Sequence, residues 1–312
     1  MVEKQTIQVP ADVPKEKEQE YIRNMETATH GLRRMMLFAG DQKIEHLNDD
    51  FGSKEASPED ADPEHMFKIA SKARISCFAT QLGLLAKYGR DYSTVPYVVK
   101  LNSKSNIVPV EDKDPISEEI VTPEEVIQFK KDSGLNIVGM GYTLYLGSEY
   151  EAEMLKEASE AILKAHQNGL FFILWIYPRG KNVPDPYDPH LIAGATGVAV
   201  SLGSDFVKVT YPKLKDSNDP LLLAEKFKEA VSAAGRTMVI VSGGSKMEVP
   251  EFLEQLHNQI HISGAAGNAT GRNVHMRPLE EAVRFCNAIS AIVFDDVTVS
   301  EALKIYENTN VK

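Results

Sequence analysis

The clearest indication of the fold is a strand–helix–strand unit over residues 204–244, which reads SDFVKVTYPKLKDSNDPLLLAEKFKEAVSAAGRTMVIVSGG. The two ends of this unit, at 204–212 and 237–244, are β-branched and apolar runs that are typical of buried strands. Between them, residues 219–235 predict a helix, because the stretch opens with Asp-Pro and closes with Gly. A strand, a helix and a second strand in this order indicate parallel strands joined by a helical crossover.

The same alternation of strand and helix runs through most of the chain. Further helices are predicted at 122–134 and 148–169, each ending at a glycine. The runs that predict strands number eight, at 33–41, 75–81, 95–102, 135–145, 170–180, 204–212, 237–244 and 260–268. Eight such units close into a (β/α)8 TIM barrel, and a doubly wound open sheet is the alternative. We expect an N-terminal extension, residues 1–25, followed by one barrel domain, residues 26–312.

The composition is typical of a folded protein with an acidic surface. The chain has 312 residues, of which 43% are hydrophobic and 25% charged, and its formal net charge is −11. Because nucleic-acid-binding faces are basic, we expect no nucleic-acid partner. The densest apolar run, residues 170–177, is far shorter than a membrane span, and the polar N-terminus lacks the apolar segment of a signal peptide. We therefore expect no membrane partner and a cytoplasmic location.

Lys208 is the unusual residue of the opening unit, because it interrupts an apolar strand and lysine is rarely buried without a partner. By two-residue alternation it shares a face with Phe206, whereas Val207 and Val209 face the surrounding helices. In a barrel, that places Lys208 at the carboxyl end of a strand, where catalytic groups lie. A desolvated lysine has a lowered pKa, and its neutral amine can attack a ketone or an aldehyde. Two interpretations are open, a Schiff-base lysine and a lysine paired with a buried acid such as Asp205.

A second unusual row ends the preceding strand, FFILWIYPRG. Trp175, Tyr177 and Arg179 are spaced by two residues, so they share one face of that strand. A tyrosine hydroxyl beside an iminium can exchange protons, and an arginine can bind a phosphate. An aromatic core with an arginine at its rim is the alternative interpretation.

Polar residues also follow the first predicted strand, in LFAGDQKIEH. Asp41 ends this strand, where a carboxylate can handle protons while an amine adds to a carbonyl. Lys43 and His46 are further candidates for the site. The run has no metal-site spacing, and Cys77 and Cys286 lie far apart in apolar surroundings without CxxC spacing. We therefore expect no metal ion and two buried thiols.

Glycine-rich turns follow the last two predicted strands, one in SGGSK and the other in GAAGNATGRN. Glycine lets backbone N–H groups approach an anion closely, and barrels often bind a phosphate with the loops after strands 7 and 8. We therefore predict a phosphate site formed by Ser242, Gly243, Gly244, Gly271 and Arg272.

One connection, residues 103–123, is unusually long. Segments of this length are often lids or functional insertions. Two interpretations are open, a solvated insertion that carries a short hairpin and a lid over the site.

Together these motifs resemble the archaeal-type class I fructose-bisphosphate aldolases, a family that also includes the Schiff-base aldolase of early aromatic amino-acid biosynthesis in methanogens. The resemblance extends over about residues 30–295, and its most specific part is the Trp-x-Tyr-x-Arg row one strand before the lysine. It implies a metal-independent lyase that needs no cofactor, acts on a phosphorylated sugar and forms a homo-oligomer.

The resemblance also implies a role for each residue. Lys208 is expected to form the imine with dihydroxyacetone phosphate and Tyr177 to transfer protons. Asp41 is expected to assist proton movement and to orient the lysine. Trp175 and Arg179 are expected to line the pocket, and the glycine-rich loops to bind the phosphate.

One departure from the family concerns the residues after the first strand. Relatives commonly carry Asp-His-Gly there, whereas this chain has Asp41-Gln42-Lys43. The downstream Glu45-His46 is retained, so the departure concerns the contacts of residues 42 and 43, and a substrate contact by Lys43 is a separate prediction. If the acceptor aldehyde carries a second phosphate, Lys43 and Arg179 are its candidate partners.

Several reactions fit the resemblance. The first is the reversible cleavage of fructose 1,6-bisphosphate to dihydroxyacetone phosphate and glyceraldehyde 3-phosphate, and a related reaction forms 6-deoxy-5-ketofructose 1-phosphate with methylglyoxal. The alternatives within the wider family are transaldolase-like heptulosonate synthases and a thiolase-type acyl transferase. A phosphate-binding barrel without turnover is an alternative from another class, and it leaves Lys208 beside Tyr177 unexplained.

Overall fold

Eight parallel strands close into a barrel in the computed structural model of the protein, which describes residues 5–108 and 114–309. In chain order the strands are β1 (Met35–Ala39), β2 (Cys77–Gln81), β3 (Tyr97–Lys100), β4 (Asn102–Ser103), β5 (Glu118–Glu119), β6 (Ile137–Leu146), β7 (Phe171–Pro178), β8 (Phe206–Val209), β9 (Met238–Ser242) and β10 (Gly267–Thr270). Strands β4 and β5 pair with each other, and the other eight form the barrel in the order β1-β10-β9-β8-β7-β6-β3-β2. The prediction of a (β/α)8 TIM barrel is confirmed, and the open-sheet alternative is wrong.

Helices cover the outside of the barrel. They are α1 (Glu18–Thr29), α2 (Lys43–Phe51), α3 (Glu64–Lys72), α4 (Leu82–Tyr88), α5 (Pro123–Ser133), α6 (Glu151–Gln167), α7 (Pro189–Leu202), α8 (Pro220–Ala233), α9 (Val249–His261), α10 (Arg272–His275), α11 (Leu279–Asp295) and α12 (Val299–Glu307), with short 3-10 helices at Lys15–Lys17 and Pro58–Ala61. At the start of α8, the Asp219 side chain accepts hydrogen bonds from the backbone N–H groups of Leu221 and Leu222. Thr122 forms a capping box with Glu125 at the start of α5. The predicted Asp-Pro signal thus explains the start of α8, and the capping box explains the start of α5.

The prediction of a strand over residues 260–268 is wrong for most of its length. Helix α9 continues to His261, and β10 begins only at Gly267. Leu256 and Ile260 are one helical turn apart and both are buried. Ile260 is therefore the last member of an apolar helix face rather than the first residue of a strand.

Two-residue alternation along the strands separates the barrel interior from the helix layer. On β8, Phe206 belongs to the interior core, whereas Val207 and Val209 belong to the outer core that packs against the helices. The predicted orientation of this strand is therefore confirmed. On β6, Gly141 leaves the space that Trp175 of β7 fills, since a Cβ at residue 141 would lie 2.2 Å from the indole ring.

Residues 7–25 lie against the amino end of the barrel. Tyr21 of α1 packs into the interior core. Its hydroxyl donates a hydrogen bond to Asp205, which also accepts one from the Phe172 backbone N–H at 2.7 Å and lies 3.0 Å from His166 Nε2. Asp205 is therefore engaged at the amino end, and the interpretation that pairs it with Lys208 is wrong.

The long connection at 103–123 carries the hairpin formed by β4 and β5, and residues 109–113 of this connection lie outside the described residues. The side-chain Nδ2 of Asn102 donates to the carbonyl oxygens of Ser117 and Thr143, both at 2.8 Å. These bonds tie the base of the hairpin to β6. The hairpin is confirmed, and a lid over the site stays a prediction.

Two further expectations concern cysteines and membrane spans. Cys77 and Cys286 are buried free thiols, as predicted. Within the part of the chain that the structure describes, no helix combines the length and the apolar character needed to cross a bilayer.

Candidate active site

A cavity of about 420 Å³ opens at the carboxyl end of the barrel, where barrel enzymes carry their catalytic groups. Its walls come from most of the barrel strands and from the loops that follow them. Eleven of the twelve predicted site residues line it: Asp41, His46, Trp175, Tyr177, Arg179, Lys208, Ser242, Gly243, Gly244, Gly271 and Arg272. The structure thus brings together side chains that are widely separated in the sequence.

A second cavity, of about 250 Å³, lies at the amino end, between residues 7–33 and the barrel. Its buried polar side chains already have partners. The Ser204 hydroxyl donates to the carbonyl oxygen of Phe206 at 2.7 Å, and the Thr237 hydroxyl donates to that of Ser204 at 2.6 Å. Since these groups and Asp205 are engaged within the protein, the cavity at the carboxyl end is the better candidate for catalysis.

Lys208 lies on β8 and lines the cavity. Its side chain is only 4% exposed, and its Nζ is 5.5 Å from the centroid of the Trp175 ring on the neighbouring strand. Burial lowers the pKa of Lys208, because it removes water from the charged form. The Asp41 carboxylate opposes this shift, and the ammonium of Lys100 reinforces it. A larger fraction of Lys208 is therefore the neutral amine that can attack a ketone.

Lys100, at the end of β3, is a residue of the site that the sequence analysis missed. It is 1% exposed, its Nζ donates to the Thr143 hydroxyl at 2.6 Å, and it lies 3.4 Å from Asp41 Oδ2. The same Nζ is 4.9 Å from the centroid of the Trp175 ring. Lys100 lies within an apolar run, VPYVVKLN, just as Lys208 lies within an apolar strand. The same pattern could therefore have identified Lys100 from the sequence.

Asp41, two residues after β1, is a buried carboxylate that forms an ion pair with Lys100. Its side chain is 5% exposed, and its Oδ1 has no hydrogen-bond partner among the described residues. The Gln81 side chain donates to the Asp41 carbonyl oxygen at 2.6 Å and so fixes the backbone at the end of β1. An oxygen without a partner in a buried site can accept a proton from a reacting group.

Tyr177 and Arg179 continue the row from Trp175 along β7. Tyr177 pairs in register with Tyr145 of β6, with ring centroids 6.2 Å apart, and Arg179 Cζ lies 5.1 Å from the Tyr177 centroid. Burial raises the pKa of Tyr177, although the positive charge of Arg179 acts against this. The phenol therefore keeps its proton at neutral pH and can donate it to a substrate atom.

The two glycine-rich loops meet at one side of the cavity. Gly271 packs so closely against β1 that a Cβ would lie 2.6 Å from the Ala39 carbonyl oxygen, which leaves no room for a larger residue. The Arg272 side chain is 28% exposed, and its Nε has no hydrogen-bond partner among the described residues. The nearest carboxylate oxygen, from Asp50, is 3.8 Å from this Nε. A guanidinium with free bonding capacity beside glycine backbone is suited to bind an anion.

Comparison with known proteins agrees with this geometry. Residues 35–277 match the model of the DeoC/LacD family aldolases. The chain belongs to this family. It is 55% identical to the "Fructose-bisphosphate aldolase/6-deoxy-5-ketofructose 1-phosphate synthase" of Methanocaldococcus jannaschii, over 98% of this chain and 96% of that protein.

Two solved structures extend the comparison of this DeoC/LacD family member. The fructose-bisphosphate aldolase from Slackia heliotrinireducens superposes with a TM-score of 0.93 at 49% identity, covering 98% of this chain and 96% of the other. An archaeal fructose-1,6-bisphosphate aldolase, solved with its catalytic Lys covalently bound to the carbinolamine intermediate of its substrate, gives a TM-score of 0.72 at 30% identity, covering 89% of this chain and 99% of the other.

In this aldolase-family barrel, only some of the residues that follow β1 have side chains that line the cavity. Lys43 does not line the cavity: its Nζ lies 3.4 Å from the Ala61 carbonyl oxygen and 4.5 Å from the centroid of the Phe51 ring. Gln42 lines the cavity instead. Successive residues of a helical turn point about 100° apart, so the two side chains cannot face the same way. His46 lines the cavity, as predicted, and its Nδ1 bonds the Asp50 carboxylate.

Arg272→Ala is expected to weaken binding of dihydroxyacetone phosphate, the ketone that the family resemblance implies, about 10- to 100-fold, since hydrogen bonds to charged groups contribute about 1.5–3 kcal/mol. Titration calorimetry measures this change in Kd. Arg236→Ala is the matched control, because it removes the same charge from an exposed residue at the amino end of the barrel. Equal weakening in both variants would mean that the net charge, rather than a contact with Arg272, controls binding.

Proposed function

We propose that the protein is a class I aldolase, a lyase that reversibly cleaves fructose 1,6-bisphosphate to dihydroxyacetone phosphate and glyceraldehyde 3-phosphate through an imine on Lys208. The observation that carries this proposal is a lysine, 4% exposed, that lines a cavity at the carboxyl end of the barrel beside Trp175. The names of the relatives support the same chemistry, and one of them was solved with its lysine bound to a reaction intermediate.

The neighbouring groups suit the successive steps of this reaction. The neutral Lys208 amine adds to the C2 carbonyl of the ketose, and Asp41 moves the protons that let the carbinolamine lose water and become an imine. Asp41 Oδ1, which has no partner among the described residues, accepts the C4 hydroxyl proton. The C3–C4 bond then breaks, its electrons pass to the nitrogen of the protonated imine, and the aldehyde leaves. Tyr177 protonates C3 of the resulting enamine, for which a phenol that keeps its proton is suited, and it regains its proton from Asp41 through solvent. Water finally releases dihydroxyacetone phosphate and regenerates the amine.

The condensation with methylglyoxal to 6-deoxy-5-ketofructose 1-phosphate is a second candidate activity. The observation in its favour is the double name of the Methanocaldococcus jannaschii relative at 55% identity. Both reactions share the enamine and differ in the aldehyde, so one lysine serves both. The cytoplasmic location and the homo-oligomeric assembly stay predictions.

The simplest test of the proposed function is triose phosphate release from fructose 1,6-bisphosphate in the presence of EDTA. A Schiff-base mechanism needs no divalent ion, so the rate should be the same with and without the chelator. Absence of triose phosphate in both samples, or a rate that is lost on chelation and restored by a divalent metal, would contradict the proposal.

Arg179→Met is expected to impair fructose 1,6-bisphosphate cleavage about tenfold or more, while methylglyoxal condensation changes less, because only the first reaction places a second phosphate in the cavity. Both rates are measured by steady-state kinetics. Lys43→Met is the control: its ammonium lies over Phe51, outside the cavity, so both activities should stay close to wild type. Equal losses in both reactions for Arg179→Met would show that Arg179 does not bind the second phosphate.

A further inference from the structure

The two loops of the predicted phosphate site are joined by one buried side chain, that of Asn273 on α10. Asn273 is 0% exposed. Its Nδ2 donates to the carbonyl oxygens of Gly243 at 2.9 Å and Ser245 at 2.8 Å, and its Oδ1 accepts from the Met247 backbone N–H at 2.7 Å. Three hydrogen bonds from a single side chain therefore hold the loop after β9 against the segment that carries Arg272.

The Asn273 backbone is itself held in place. The Arg277 Nε donates to the Asn273 carbonyl oxygen at 2.8 Å, and Arg277 Nη2 donates to the Met247 carbonyl oxygen at 3.4 Å. Arg277 is buried and also pairs with Glu281 of α11. Asn273 is thus a fixed point between the two loops rather than a mobile contact.

This arrangement has a consequence for substrate binding, because the two halves of the phosphate site come from different strands. The glycines at 243 and 244 follow β9, whereas Gly271 and Arg272 follow β10. We propose that Asn273 is a positioning residue that sets the distance between these two halves and thereby gives the enzyme its preference for a phosphorylated ketone. The inference rests on the proposed function, and it assigns to Asn273 no contact with the substrate.

Only an amide of this size meets all three bonding requirements. Asn273→Ala would leave two backbone carbonyl oxygens and one N–H without their partner in a buried place. Asn273→Asp keeps the shape but turns an oxygen toward the carbonyl oxygens of Gly243 and Ser245, and it adds a negative charge beside an anion site. Both changes should let the loops move apart, while Lys208 and Tyr177 stay in place on their strands.

The experiment compares two ketones, dihydroxyacetone phosphate and unphosphorylated dihydroxyacetone, by the concentration dependence of borohydride trapping. For Asn273→Ala and Asn273→Asp we expect the half-saturating concentration of the phosphorylated ketone to rise about 10- to 100-fold, as for loss of hydrogen bonds to a charged ligand. Trapping of dihydroxyacetone should stay within about twofold of wild type, since it does not use the phosphate site. Asn258→Ala is the matched control, a buried asparagine of α9 that does not line the cavity.

Equal losses with both ketones, or an unchanged preference for the phosphorylated ketone, would overturn the inference. Asn273→Ser, which keeps one hydroxyl for these bonds, replaces any variant that does not fold and is judged by the same ratio. If wild type is not trapped at all, the proposed function fails. The role of Asn273 is then measured with inorganic phosphate by calorimetry, where a Kd that is unchanged in the variants would overturn it.

Discussion

Lys208→Ala is expected to abolish cleavage of fructose 1,6-bisphosphate, with a loss in turnover of at least about 10⁴-fold, because the imine nitrogen is removed. The variant should fold, since the side chain points into the cavity and makes no contribution to the helix layer. A coupled assay of triose phosphate measures the loss. A variant that keeps more than about 1% of wild-type turnover would contradict the role of Lys208.

Lys208→Met tests the effect of Lys208 on turnover separately from its effect on the stability of the fold. Methionine fills a similar volume without a charge, so it removes the cost of burying the Lys208 ammonium and its repulsion from Lys100, while Asp41 keeps Lys100 as its partner. We therefore expect a melting temperature equal to or above that of wild type, together with the same loss of turnover as for alanine. A marked fall in Tm would show that the Lys208 ammonium also stabilises the fold.

Tyr177→Phe is expected to slow turnover about 10²- to 10⁴-fold, the usual contribution of a positioned acid–base group. The ring, with its stacking on Tyr145, is retained, so the cavity keeps its shape. Because the hydroxyl acts after the imine has formed, borohydride should still trap the variant on Lys208. Turnover close to wild type would show that the Tyr177 hydroxyl has another role.

Tyr145→Phe is the matched control for this assignment. Tyr145 lines the same cavity and lies beside Tyr177 in the next strand. Removal of its hydroxyl should cost much less turnover than the change at Tyr177. A larger loss in Tyr145→Phe would move the proton transfer from one tyrosine to the other.

The barrel could be predicted because each of its strand–helix units can be recognised from its own short stretch of sequence. Each strand–helix unit carries its own apolar run and its own end signals, as at Asp219 and Thr122, and eight units in sequence leave few topologies. The eighth strand was misplaced for a local reason as well. The apolar residues near Ile260 suit a helix face and a short strand equally, and only packing against neighbouring elements decides between them.

The site residues that lie on strands could be predicted, because two-residue alternation along a strand sets the direction of each side chain. Lys208 and the Trp175–Tyr177–Arg179 row follow that rule. Lys43 does not, because it belongs to a helical turn whose orientation depends on distant contacts with Phe51 and Ala61. The hydrogen bonds by which Asn273 joins the two loops could not be predicted from the sequence either. Their acceptors lie in the loop after β9, which comes close to Asn273 only in the folded barrel.

Borohydride reduction of the wild-type protein with dihydroxyacetone phosphate, followed by peptide mass mapping, tests most directly whether Lys208 forms the imine. The predicted result is one added mass, on the peptide that contains Lys208, which appears only when the ketone is present. Label on another lysine, including its buried neighbour Lys100, or no label at all, would contradict the assignment.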